Sequence, residues 1–145
     1  MLNNLVAFIL AFGFTTVLLV YAFKLPYLLT GKKEIVNEYY GKNFGTYVPL
    51  DLFFIALYLL VAEFIIRYFN INEIKSKLVI VAGVTSLITG YFYLYFTSKP
   101  KSKTFFSRWF HTAGPTSIVY DMILLSSNYY VYDYLLAFSH AAKLV

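Results

Sequence analysis

An all-α membrane protein with four transmembrane helices is the fold class this sequence predicts, and three observations carry it. The 145 residues are 60% apolar or Tyr and only 13% charged, with a mean hydropathy of +0.66. Ordinary soluble domains are about 45–50% apolar and about 25% charged, so this chain lacks the polar surface needed to stay dissolved. Two runs, Leu5 to Phe23 and Leu78 to Phe96, each hold nineteen residues without a charge, enough for a helix across a hydrocarbon core of about 30 Å. Two more, Val48 to Phe69 and Thr116 to Ala142, are as long but interrupted by acids. They lack the strict polar alternation of membrane barrel strands.

Taken in order, the first run has no basic start and no small-residue cleavage site after it, so it reads as a retained span and not as a signal peptide. The spans fall at about residues 5–29, 48–69, 77–97 and 115–141, in one domain over residues 1–145. The connection between the second and third is only about 8 residues, Asn70 to Lys77, which predicts a tight antiparallel pair. The other two connections, Thr30 to Tyr47 and Thr97 to Pro115, are long. With four spans they share a side and hold Lys24, Lys32, Lys33, Lys42, Lys99, Lys101, Lys103 and Arg108, against Arg67, Lys75, Lys77 and Lys143 opposite. Eight against four puts the long loops in the cytoplasm and both termini outside it. There is no Cys, so disulfides and thiolate ligands are excluded and the redox compartment is not marked.

A shift of seventy residues relates GFTTVLLVY, from Gly13, to GVTSLITGY, from Gly83, and continues without a gap. It pairs Thr15 with Thr85, Tyr21 with Tyr91, Lys33 with Lys103, Tyr39 with Trp109 and Tyr40 with Phe110. It also superposes the four acids of the presumed spans as two pairs, Asp51 on Asp121 and Glu63 on Asp133. The pattern predicts a duplicated two-helix hairpin, with units at about residues 7–69 and 77–139, related by an axis along the membrane normal. The shared Gly and hydroxyl positions suit close helix packing and bonds back to the helix's own carbonyls.

These acids are the candidate site, for binding an ion or proton or for locking helices. Asp51 follows Pro49, a pairing that suits the positive end of a helix. Glu63 lies twelve residues further on, about 18 Å along a helix, with Arg67 four residues later to pair with it on the way to the interface. In the fourth span Asp121, Asn128 and Tyr132 share one face, and Ser126, Tyr129, Asp133 and His140 form the next stripe. Asp133 has no Lys or Arg three or four residues away. Its partner must come from another helix, from water or from a proton of its own. Arg67, Asn128, Tyr129, Tyr132 and His140 are the supporting polar groups.

Other chemistry has little support. His111 and His140 are the only histidines and neither lies in a ligand motif, so no zinc site is predicted. There is no phosphate-cradling glycine loop and no nucleophile motif, and therefore no enzyme and no cofactor is expected. In KPKSKTFFSRWFH, the residues Lys99, Lys101, Lys103, Arg108 and Trp109 suit a headgroup layer and anionic lipid better than a nucleic acid. The order FFSRWFHTAGPTSIVYD followed by an apolar, Tyr-rich helix resembles small four-span membrane proteins encoded by large DNA viruses of algae and protists. The resemblance covers mainly residues 105–135, and the excess of Lys, Asn, Ile, Phe and Tyr fits an AT-rich genome. It implies a host or virion membrane and carries no reaction and no residue roles. Two functions follow from the residues. One is an ion or proton transport or conduction protein, which needs a homo-oligomer to enclose a path. The other is a non-catalytic structural protein of a viral envelope or internal membrane.

Overall fold

In the computed structural model, which describes residues 3–141 apart from the side chain of His140, the chain is all-helical, with no strand among the described residues. Helix α1 spans Asn4–Thr16 and is capped by Asn3, whose side chain accepts the Leu5 N–H at 3.2 Å. It continues as a π-helical segment, Val17–Ala22. The span expected to reach residue 29 stops there. Lys24 adopts a left-handed φ of 52° and Pro26 lacks an N–H, so the chain turns into a separate short helix α2, Leu25–Thr30,. Gly31, at φ 64°, ends α2, a conformation that costs glycine little. Helix α3, Lys33–Asn37, runs on through a π turn, Glu38–Lys42. Then come α4, Phe44–Tyr68, and α5, Ile74–Thr97. Helix α6, Phe105–Ala113, ends at Gly114, and α7 is Thr116–Ala141.

Among the described residues, three segments are long and apolar enough to cross a membrane: Asn4–Ala22, α4 and α5. The fourth expected span, α7, has the length, at 26 residues, but not the apolar composition. Its position accounts for this. Helix α7 is the central helix, packed along α5 and α1 and touching α4, so its polar side chains meet other helices. Asn128, Tyr120 and Tyr129 are buried within it. A small-residue stripe on α1, Ala7, Ala11 and Thr15, is fully buried, and Asn128 donates to Thr15 Oγ1 at 3.3 Å. Small side chains on that stripe let the two backbones approach.

Helices α4 and α5 pack together as the short connection predicts. The expected pair of equivalent hairpins is not matched in packing: α5 lies along α7, but α1 also lies along α7 instead of along α4. Of the repeated small positions, Thr15 and Thr85 do bond back to Ala11 and Val81, each at 2.7 Å. Gly13 and Gly83 are exposed, with open space where a Cβ would stand, so they do not mark close helix contacts.

Candidate functional site

Where α4 and α7 begin, the two long connections fold over the bundle and border a partly open cavity of about 330 Å³. Helix periodicity builds its walls. Asp51, Phe54, Ile55 and Tyr58 form one face of α4, and Tyr120, Asp121, Leu124 and Leu125 form one face of α7, each set at the spacing that stacks side chains on a single stripe. Helix α5 adds Phe92 and Phe96, and α6 supplies four rings, Phe105, Phe106, Trp109 and Phe110. The π turn brings in Tyr39 and Tyr40. A π turn is wider than an α turn and recurs at functional sites. Here both adjacent tyrosines are buried.

A hydrogen-bonded chain of phenols ends on Asp51. Tyr39 donates to its Oδ1, and Tyr40 donates to its Oδ2 at 3.0 Å. Since Tyr40 has a single proton, the 2.6 Å contact between the Tyr40 and Tyr120 hydroxyls makes Tyr120 the donor there,. Burial, and then the charge of Asp51, push the Tyr39 phenol well above its ordinary pKa, so it stays a neutral O–H donor. Asp121 accepts one bond, from Thr89 Oγ1 to Oδ2 at 2.8 Å, and its Oδ1 has no hydrogen bond among the described residues. No Lys, Arg or His pairs with Asp51 or Asp121 among the described residues. The capping role expected of Asp51 does not hold. Helix α4 starts at Phe44, which puts Pro49 inside the helix and Asp51 seven residues in.

The other two acids sit twelve residues further along the same helices and are compensated. Arg67 Nε lies 2.9 Å from Glu63 Oε2, as its spacing predicts, and Tyr129 donates to Glu63 Oε1 at 2.6 Å. Asp133 finds its partner on another helix, Lys77 of α5, at 2.8 Å. Tyr132 is half-buried beside Tyr129, with ring centroids 6.1 Å apart. The side chain of His140 lies outside the described residues. The four acids therefore divide into an uncompensated pair at the cavity and an ion-paired pair at the far end.

The α6 residues expected at a lipid headgroup layer divide too. Lys101 and Lys103 are exposed, and Lys99 lies over the Tyr95 ring at 3.8 Å. Trp109 is instead turned inward, buried against Tyr120 and Tyr39 with centroids at 6.4 and 6.1 Å. Arg108 forms a two-pronged pair with Glu38, Nη1 to Oε2 at 2.6 Å and Nη2 to Oε1, which clamps α6 to the π turn. The hydrogen bond from Arg108 holds the Glu38 carboxyl below the usual range. Outside this clamp lies a basic depression of about 520 Å³, lined by Lys32, Lys33, Lys101 and Arg108 together with Glu34 and Glu38.

Sequence reasoning did not anticipate Tyr39, Tyr40, Tyr58, Thr89 and Tyr120 at the site. The signal for the α6 wall was present: Phe105, Phe106, Trp109 and Phe110 fall on one helical face. Among the described residues no three His, Cys, Asp or Glu side chains gather as metal ligands. No family model, curated protein or solved structure matches the chain. The chemistry the arrangement offers is recognition of positive charge, by carboxylates set among ring faces.

Proposed function

We propose that this chain is a four-span integral membrane protein that carries a cation or proton by way of the cavity between Asp51 and Asp121. The supporting observation is that two carboxylates share one cavity with no cationic side chain beside either among the described residues. In an apolar layer, acids in that position are costly unless a ligand or proton compensates them. Glu63 and Asp133, already compensated, take the helix-locking role. This fastening is also what favours the second reading, a structural membrane protein.

The fourth span is supported by α7's outer face. Val119, Ile123, Tyr130, Tyr134 and Phe138 are exposed along it, over about 29 Å at 1.5 Å per residue, which matches a hydrocarbon core. Beyond the cavity the bundle is filled by Val81, Val84 and Tyr129, so a path across the membrane requires contact between copies of the chain. The basic depression beside Arg108 faces anionic lipid headgroups, with the long loops cytoplasmic and the termini outside. The resemblance over residues 105–135 implies a host or virion membrane.

The duplication also gains support. The seventy-residue shift pairs Glu38 with Arg108, which bond to each other, and Tyr39 with Trp109, whose rings meet at 6.1 Å. Equivalent positions meet in this way next to a two-fold axis. The different packing of α1 is then a later departure from symmetry. The test is dissipation of proton, sodium and potassium gradients by reconstituted protein. Wild type is expected to conduct at least one of them, and the Asp51→Asn, Asp121→Asn double variant none; an inert wild type would favour the structural reading.

A further inference from the structure

We propose that the cavity takes a monovalent organic ammonium ion, its charge at Asp121 and its apolar substituents against the α4, α5 and α6 rings. This rests on the cation-carrying reading and names the class of cation. At about 330 Å³ the cavity equals roughly eleven waters at about 30 Å³ each and falls in the range of small-molecule pockets. A bare hard cation needs a shell of about six oxygens or more. Of the oxygens here, those of Tyr39, Tyr40, Tyr120 and Asp51 are engaged with one another, and most of the remaining wall is carbon: Phe54, Phe92, Phe96, Phe105, Trp109 and Phe110. The faces of such rings attract cations, and do so most strongly where water is excluded.

The two acids are not equivalent toward a ligand. Both oxygens of Asp51 already accept phenol protons, so Asp51 serves mainly to hold the π turn in place. Asp121 accepts only from Thr89, through Oδ2, which leaves Oδ1 for the ligand. Among the described residues no Lys or Arg pairs with it. Arg108 approaches the Phe105 ring at 6.0 Å, but Glu38 holds its guanidinium outside the cavity. One free carboxylate oxygen set among rings selects a single positive charge carried on a hydrophobic body.

Trp109 is the only tryptophan and lines the cavity, so its fluorescence reports occupancy directly. The full chain in detergent micelles would be titrated with benzyltrimethylammonium, and in parallel with neopentylbenzene, which has the same shape without the charge. Equilibrium dialysis would give a second readout. Saturable binding of the ammonium is expected, at least tenfold tighter than the neutral compound, a difference of about 1.4 kcal/mol. Asp121→Asn should weaken it at least tenfold, and Phe96→Leu several-fold, with elution volume and circular dichroism unchanged. If a variant does not fold, the wild-type comparison of charged and neutral compounds decides. Equal binding of the two compounds would overturn the proposal by showing an apolar pocket only. Absence of ammonium binding alongside a carboxylate-dependent alkali-ion or proton flux would also overturn it while leaving the carrier reading intact. Saturable, charge-selective binding without any flux would support the ligand class and remove the carrier reading.

Discussion

Asp51 and Asp121 are twelve residues from Glu63 and Asp133 on the same two helices, yet their surroundings assign them opposite roles. At Glu63 and Asp133 a cation lies within 3 Å, and at Asp51 the bonding partners are phenols. Tyr40 connects that network, since it accepts from Tyr120 and donates to Asp51. Tyr40→Phe leaves the Tyr120 O–H and Asp51 Oδ2 each short of a partner, and should destabilise the fold by about 1–3 kcal/mol. Thermal unfolding in detergent would check this; a change below about 0.5 kcal/mol would mean that the phenol chain does not hold the site. The acids themselves were legible in the sequence as charges inside apolar runs. The Glu63–Arg67 pair was legible too, from its spacing, but the rest of the division was not, because the other partners are distant in the chain: Lys77 is 56 residues from Asp133, and Tyr129 is 66 from Glu63.

The elements divide along the same line between local and distant information. Uncharged runs and a short connection mark α1, α4 and α5 in the sequence. Lys24 and Pro26 end the uncharged run at this point, but the break itself depends on a left-handed conformation that a lysine rarely adopts,. The charges and Trp109 of the α6 region suit an interface in the sequence, yet the ring-bearing face of α6, Trp109 included, turns inward because the connection folds back over α4 and α7. The Glu38–Arg108 clamp holds that arrangement. Glu38 has a lowered folded-state pKa, so its contribution to stability is fully present above the ordinary glutamate value of about 4.3. It is lost as pH falls through the lower, folded-state value. With the two side chains 35% and 26% exposed, solvent screening limits the effect to about 1 kcal/mol or less. Unfolding midpoints measured from pH 6 down to pH 3 should therefore fall more steeply for wild type than for Glu38→Gln. Parallel curves would show that the clamp adds no stability.

For the whole molecule, the apolar composition and three helices long and apolar enough to cross a membrane agree, and charge asymmetry predicts an orientation. The absence of cysteine makes that orientation simple to test with single-cysteine variants. Cysteines at Asn43→Cys and Ser102→Cys should resist impermeant thiol reagents added to intact cells, while Asn72→Cys should react. The reverse pattern would place the cavity at the outer face. How α1 packs was not legible, since a uniformly apolar helix carries little information about which neighbour it will choose. The small stripe Ala7, Ala11 and Thr15 is the one cue, and it leads to α7. The central claim is that the cation is carried at the cavity, with its charge at Asp121, and that the distal pair only fastens helices. Flux in proteoliposomes, driven by gradients of protons, alkali ions and benzyltrimethylammonium, tests it most directly when wild type, Asp121→Asn and Asp133→Asn are compared at equal reconstitution. The account predicts flux in wild type, its loss in Asp121→Asn and its retention in Asp133→Asn; an inert wild type, or loss in Asp133→Asn with retention in Asp121→Asn, would contradict it.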